Sequence, residues 1–259
     1  MKTAKNIYFA SDFHLGLPSF EKGIDREKLV VAWLDSIKHD ASEIFLVGDI
    51  FDFWYEYKYV IPKGFTRFQG KIAELTDSGI PVHFFTGNHD VWMFNYFPKE
   101  LGVSVHSQPI VREFNGKRFL IGHGDGLGKG DNGYKLLKGI FTSKVLQWLF
   151  SRLHPNFAMW LGNGWSVNSR YSKEIAHKFR GESELITRYA RWELEQKSNY
   201  QFFVFGHWHS PVVYPLTSNE TLVLLGDWIV SNTYAKWDGE NLELLHFNIN
   251  CQSELISKR

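Results

Sequence analysis

Five short apolar runs in this chain end in the same manner. Ile7-Tyr8-Phe9-Ala10 leads into Ser11-Asp12-Phe13-His14, and residues 43–47 lead into Gly48-Asp49-Ile50-Phe51-Asp52. Residues 82–86 lead into Gly87-Asn88-His89-Asp90, 118–121 into Gly122-His123-Gly124-Asp125, and 202–205 into Gly206-His207-Trp208-His209. Runs this rich in β-branched and aromatic residues read as strands buried on both faces. Between them lies helical spacing: Leu29, Trp33 and Ile37 at i, i+4 and i+8 within 25–37, and a second helix over 65–77 closed by Gly79 and Pro81. Strands separated by helices predict a mostly buried sheet with βαβ crossovers, where ligands gather beyond the carboxyl ends of the strands. An isolated His-x-His is more often a pair of loop residues. Five strand ends bearing oxygen or imidazole donors form a cluster if the strands are neighbours.

The remaining composition narrows the classes. With 259 residues and 44% apolar content the chain can bury a sizeable core, as one large domain or two small ones. A net charge of +1 gives no global reason to expect nucleic-acid binding. Cys251 is the only cysteine, which excludes an internal disulfide framework and a thiolate metal site and fits a reducing compartment. The N-terminus lacks the pattern of a signal peptide, and no run of about 18 apolar residues predicts a membrane span.

The donors at the strand ends are Asp12, His14, Asp49, Asn88, His123, His207 and His209. They mix hard oxygens with borderline nitrogens and no sulfur, which suits Mn²⁺, Fe or Zn²⁺ better than Ca²⁺. Seven donors are too many for one tetrahedral ion and right for two ions sharing a bridging carboxylate.

In their order, Asp-x-His, Gly-Asp-x-x-Asp, Gly-Asn-His-Asp, Gly-His-x-Asp and Gly-His-x-His resemble the calcineurin-like metallophosphoesterases, over about residues 5–125 and 200–248. The resemblance implies an α/β (α+β) fold: a four-layer αββα sandwich forming a single domain over 1–259, with a dinuclear site. It would set Asp12, His14, Asp49 and His209 on one metal, and Asp49, Asn88, His123 and His207 on the other, with Asp49 bridging. Two such ions clamp a phosphate and acidify a bound water that attacks it. His89 would face the phosphoryl group, protonating the leaving oxygen or stabilising the transition state, and Asp52 would orient His89 by a hydrogen bond. His83, His106, His154, His177 and His246 fit no motif and read as structural or surface residues.

Residues 126–199 do not read as core sheet. A helix with apolar side chains around most of its circumference is expected over 144–153, an apolar stretch follows over 157–165, and an amphipathic helix is expected over 182–197. Lys144, Arg152, Arg170, Lys173, Lys178 and Arg180 make the block basic. It reads either as plain packing onto the sandwich or as a helical lid that lines a cleft for acyl chains and meets an anionic membrane surface.

Within the superfamily the chain is similar to the UDP-2,3-diacylglucosamine hydrolases of lipid A biosynthesis. The residues that carry this are Ser11-Asp12-Phe13-His14-Leu15-Gly16, His123-Gly124-Asp125-Gly126-Leu127 followed by Asp131 and Tyr134, and an insertion containing Trp148-Leu149-Phe150 and Asn168-Ser169-Arg170. The resemblance implies cleavage of a lipid-linked nucleotide diphosphate to UMP and 2,3-diacylglucosamine 1-phosphate, two Mn²⁺ ions, and a cytoplasmic enzyme held peripherally at the inner membrane, with no nucleic acid or protein partner implied. Substrate contacts would fall on Asn88, His89, Asp131, Tyr134, Ser169, Arg170, Lys173 and His207. The best-known members carry Arg in place of His89 and Glu in place of Asp52, so the His/Asp pair here is the general phosphoesterase form. The competing expectations are a metallophosphoesterase of another substrate class (phosphodiester, nucleotide or phosphoprotein) and a non-catalytic scaffold, which the complete donor set argues against.

Overall fold

The structure is a computed structural model that describes residues 6–17, 20–130, 132–171, 179–249 and 251–259, with side chains except those of 20–22, 165–171 and 251–252. Two sheets stack face to face. The first has seven strands. β1 (Asn6–Ala10), β2 (Ala41–Leu46), β3 (Val82–Phe85) and β4 (Ser104–His106) run parallel, and β10 (Thr233–Trp237), β11 (Leu242–Asn248) and β12 (Cys251–Lys258) extend it antiparallel from the β1 side. In the second, β6 (Lys117–Gly122), β7 (Phe202–Phe205) and β9 (Thr221–Leu225) are parallel, flanked antiparallel by β5 (Ile110–Phe114) and β8 (Pro211–Pro215).

Alternation along each strand sorts the core into three layers. Ile7, Phe9, Phe45, Val47, Phe119, Ile121, Phe202, Val204, Val223 and Leu225 meet between the sheets. Tyr8, Ala10, Ile44, Leu46, Val82 and Phe84 point the other way, onto α1 (Phe20–Ile37), α2 (Thr66–Asp77) and α3 (Tyr96–Leu101). Leu120, Phe203, Phe205, Leu222 and Leu224 point outward from the second sheet, where α7 (Leu185–Glu195) covers them with Ile186 and Ala190. The result is the four-layer αββα sandwich. It also accounts for the continuously apolar runs, since the central strands have no solvent face. Phe9 stacks on Phe45 at 5.2 Å and on Phe119 of the other sheet at 6.0 Å, so Phe9→Ala would open a cavity between the sheets at a cost of roughly 3–5 kcal/mol.

The central helices of the block 126–199 pack differently. α4 (Asn132–Thr142) and α5 (Lys144–Phe150) bury no residue fully, and Trp148 and Trp160 are 56% and 69% exposed, the latter on α6 (Pro155–Tyr171). Their anchors are local. Trp92 Nε1 donates to the Phe141 carbonyl, Tyr55 donates its hydroxyl to the Gln147 carbonyl, and Phe150 packs on Trp92 and Tyr55 at 4.7 and 4.8 Å. α7 is the part that packs onto the sandwich. Among the described residues, no helix is long and apolar enough to cross a membrane.

His83 is buried between Glu43, 2.8 Å from its Nε2, and His106, 3.0 Å from its Nδ1, at the edge where Arg112 of β5 reaches Glu43. This is the structural role expected for His83 and His106.

Candidate metal centre

Six parallel strands, three from each sheet, deliver polar turns to one place. Asp12 and His14 follow β1, Asp49 follows β2, Asn88 and His89 follow β3, His123 follows β6, and His207 and His209 follow β7. Asp227, which the sequence reading missed, follows β9. Asp12, His14, Asp49, His207 and His209 all sit at positive φ, between 45° and 69°. Non-glycine residues in this region cost of order 1–3 kcal/mol each and persist only where the surroundings enforce them. Here the enforcement is visible. Asp12 Oδ2 accepts the His207 N–H at 2.9 Å, Asp49 Oδ1 accepts the His89 N–H at 2.9 Å, and the Arg26 guanidinium donates to the carbonyls of His14 and Leu17. The glycines make room: a Cβ on Gly87 would run into Asp49 Oδ1, and one on Gly206 would stand 2.7 Å from Asp12 Oδ2.

Asp90, the last residue of the third turn, ties two turns together. Its carboxylate accepts the N–H groups of Gly87, Ile50 and Phe51 at 2.7, 2.7 and 3.2 Å. Burial, and then the charge of Asp49, push its pKa up to about 7.

Three trios of donors have ligand atoms within 4.8 Å of one another: Asp12, His14 and His209; Asp49, His123 and His207; and His14, Asp49 and His89. Asp49 Oδ2 lies 3.7 Å from His14 Nε2 and 3.4 Å from His123 Nε2, so one carboxylate oxygen is in reach of both halves. Asn88 Oδ1 stands 3.4 Å from His123 Nε2. His123 Nδ1 donates to the Val47 carbonyl at 2.9 Å, which leaves Nε2 as the nitrogen that faces inward. Asp12 Oδ1 is buried without a hydrogen-bond partner among the described residues, although Nε2 of His209 is 3.3 Å away. Oxygen and imidazole donors converging around a buried orphan acceptor suit two divalent cations that share Asp49.

The electrostatics agree with that use. Burial alone would raise the Asp49 carboxyl, but His123 and His89 outweigh it and hold it well below the usual range. Burial lowers His123, yet Asp49 carries it up to about 10. Burial likewise lowers His209, and Asp12 and Asp227 carry it up to about 10. His207 falls to about 4 through burial and the neighbouring His123 charge.

Asp52 meets His89 through its backbone. His89 Nδ1 donates to the Asp52 backbone carbonyl at 3.0 Å, while Asp52 Oδ1 stands 3.9 Å from that nitrogen and 3.4 Å from His14 Nδ1. The rings of His14 and His89 meet edge to face, 4.9 Å apart, and His14 is the more deeply buried. Tyr134 lies at the margin, its hydroxyl donating to Asp125 and its ring 6.4 Å from His207. Asp131 and Lys173 lie outside the described residues, and Ser169 and Arg170 are described in backbone only, on α6.

Comparison with known proteins gives the family. Residues 5–211 match the family model for calcineurin-like phosphoesterases. A UDP-2,3-diacylglucosamine hydrolase of Porphyromonas gingivalis is 40% identical over 251 residues, covering 92% of this chain and 96% of that protein. One of Shigella sonnei is 28% identical over 250 residues, covering 92% and 98%. Among solved structures, the phosphoesterase Yfce from E. coli aligns at 14% identity over 98% of each chain with a TM-score of 0.46. A family match over most of the chain, on a site whose donors converge as described, makes this chain a member of the calcineurin-like phosphoesterase family.

Proposed function

We propose that the chain hydrolyses the pyrophosphate of UDP-2,3-diacylglucosamine to UMP and 2,3-diacylglucosamine 1-phosphate, with two Mn²⁺ ions, at the cytoplasmic face of the inner membrane. The observation that carries this reading is the 40% identity to the Porphyromonas gingivalis hydrolase. An alignment covering 92% of the chain takes in most of the block 126–199. Hydrolysis of the lipid diphosphate with release of UMP tests it.

One corner of the site is assigned to Asp12, His14, Asp49 and His209, the other to Asp49, Asn88, His123 and His207. Two divalent cations held there neutralise phosphate charge and acidify a water into the neutral range. The protein's part is orientation and proton delivery. His89 donates its Nδ1 hydrogen to the Asp52 carbonyl, and Nε2 is the atom proposed to meet the phosphoryl group. Burial depresses His89 to about 4, and the charge of a bound diphosphate works against that depression. Once protonated at Nε2, it delivers that proton to the departing oxygen. Asp52 steadies His14 and, through its carbonyl, His89.

Helices α4–α6 form a lid in this account. Exposed Leu136, Val145, Trp148, Leu149, Phe157 and Trp160 supply apolar surface for acyl chains and for peripheral membrane contact, with Lys144 and Arg152 at hand for anionic headgroups. Asp131, Tyr134, Ser169, Arg170 and Lys173 are proposed substrate contacts with Asn88, His89 and His207. The His89–Asp52 pair, the general phosphoesterase form, favours as second reading a phosphoesterase of another substrate, which a faster turnover of a simple phosphodiester would reveal.

A further inference from the structure

Asp227 closes the turn after β9 and is buried. Its two oxygens have different work. Oδ1 accepts three backbone N–H groups, from Ile229, Val230 and Ser231 at 3.1, 2.8 and 2.9 Å. Oδ2 stands 3.4 Å from Nδ1 of His209. The far side of that ring points inward: His209 Nε2 is 3.3 Å from Asp12 Oδ1 and 3.3 Å from His14 Nε2. The imidazole therefore bridges a carboxylate that sits outside the donor cluster and one that belongs to it.

A carboxylate only accepts, so the ring nitrogen that faces Asp227 carries a hydrogen, and the opposite nitrogen, beside Asp12 and His14, is the one that would give up its hydrogen and offer a lone pair to a cation. The corresponding partner of His123 is the neutral carbonyl of Val47. A charged acceptor fixes the tautomer more firmly and makes the imidazole a stronger donor to a cation. We propose that Asp227 is a positioning residue that holds His209 in the tautomer protonated at Nδ1, and thereby sets the cation affinity of the Asp12–His14–His209 corner. Only one part of the proposed function is needed for this, namely that these three residues hold a divalent cation.

The three N–H donors dictate how an isosteric replacement behaves. In Asp227→Asn the single amide oxygen must stay with Ile229, Val230 and Ser231, because the opposite flip would set an amide NH₂ against three N–H groups. The NH₂ then faces His209 Nδ1, a nitrogen that must now accept, and the ring hydrogen moves to Nε2, where a cation would bind. In Asp227→Ala the turn loses its acceptor, but water can reach Nδ1 and leave the tautomer free. Positioning and plain structural support therefore rank the two variants in opposite orders.

The test is Mn²⁺ binding to metal-free protein by equilibrium dialysis without substrate, beside thermal melting of the same samples. We expect Asp227→Asn to melt near the wild type and to bind at least one of its two Mn²⁺ equivalents about 10–100-fold more weakly. Asp227→Ala is expected to melt lower and to lose less Mn²⁺ affinity than Asp227→Asn. Wild-type affinity in Asp227→Asn overturns the proposal, and so does a loss that merely follows melting temperature through both variants. Failure to release UMP would count against the proposed substrate and would leave this ranking of cation affinities standing.

Discussion

Oδ2 of Asp49 stands 3.4 Å from Nε2 of His123, and the same oxygen is 3.7 Å from Nε2 of His14. No other carboxylate among the described residues belongs to trios on both sides of the site. Asp49→Ala is therefore expected to abolish turnover and to lower Mn²⁺ content from two ions per chain to one or fewer, measured by elemental analysis after gel filtration. Retained turnover with two bound ions would refute the bridging role.

His89 presents the opposite balance, because it stands beside the donors, its Nδ1 on the Asp52 carbonyl, without being assigned to either cation corner. His89→Ala is expected to slow kcat by roughly 10²–10⁴-fold while Mn²⁺ content stays near that of the wild type. Collapse of metal content, with normal turnover in the protein that remains loaded, would place His89 among the cation holders instead.

The strand ends were legible because their strands are sandwiched. Residues 44–47 and 202–205 have no solvent face, so they read as unbroken apolar runs, and the polar residues that end them stand out. Asp227 escaped although Leu222-Val223-Leu224-Leu225-Gly226-Asp227 follows the same rule, because no second donor follows it in the turn. Strands β4, β5 and β8 are short or only partly buried, so neither alternation nor an apolar run marked them. Motif position pairs Asp52 with His89, and does not say that the backbone carbonyl makes the hydrogen bond while the carboxylate lies nearer His14. In the block 126–199, apolar content alone did not separate α7, which buries Ile186 and Ala190, from α4 and α5, which bury nothing fully.

Cation loading is expected to release protons. In the metal-free protein, burial favours neutral His123 and His209, but Asp49 in one case, and Asp12 with Asp227 in the other, hold them at about 10. Both rings then carry two hydrogens at pH 7 and must each lose one to bind a cation. Their folded values lie above the ordinary 6.5, so their contribution to stability is full below that pH and is lost as pH rises through about 10. Calorimetry of Mn²⁺ binding at pH 7 in buffers of different ionisation enthalpy should report release of about two protons per dinuclear site, with affinity rising with pH. Buffer-independent heats would contradict this.

Replacing exposed Trp148 and Trp160 together by Ser is expected to weaken sedimentation with anionic vesicles and to raise KM for the diacylated substrate about tenfold or more. Turnover of a water-soluble phosphodiester should stay unchanged. Equal losses on both substrates would mean that these residues support the fold instead.

The most direct test is UMP release from UDP-2,3-diacylglucosamine by the purified, Mn²⁺-loaded protein, with Asp49→Ala prepared in parallel. The account predicts UMP and 2,3-diacylglucosamine 1-phosphate in equal amounts from the wild type and neither from the variant. Rapid hydrolysis of a simple phosphodiester by the wild type, with no UMP from the lipid diphosphate, would contradict it.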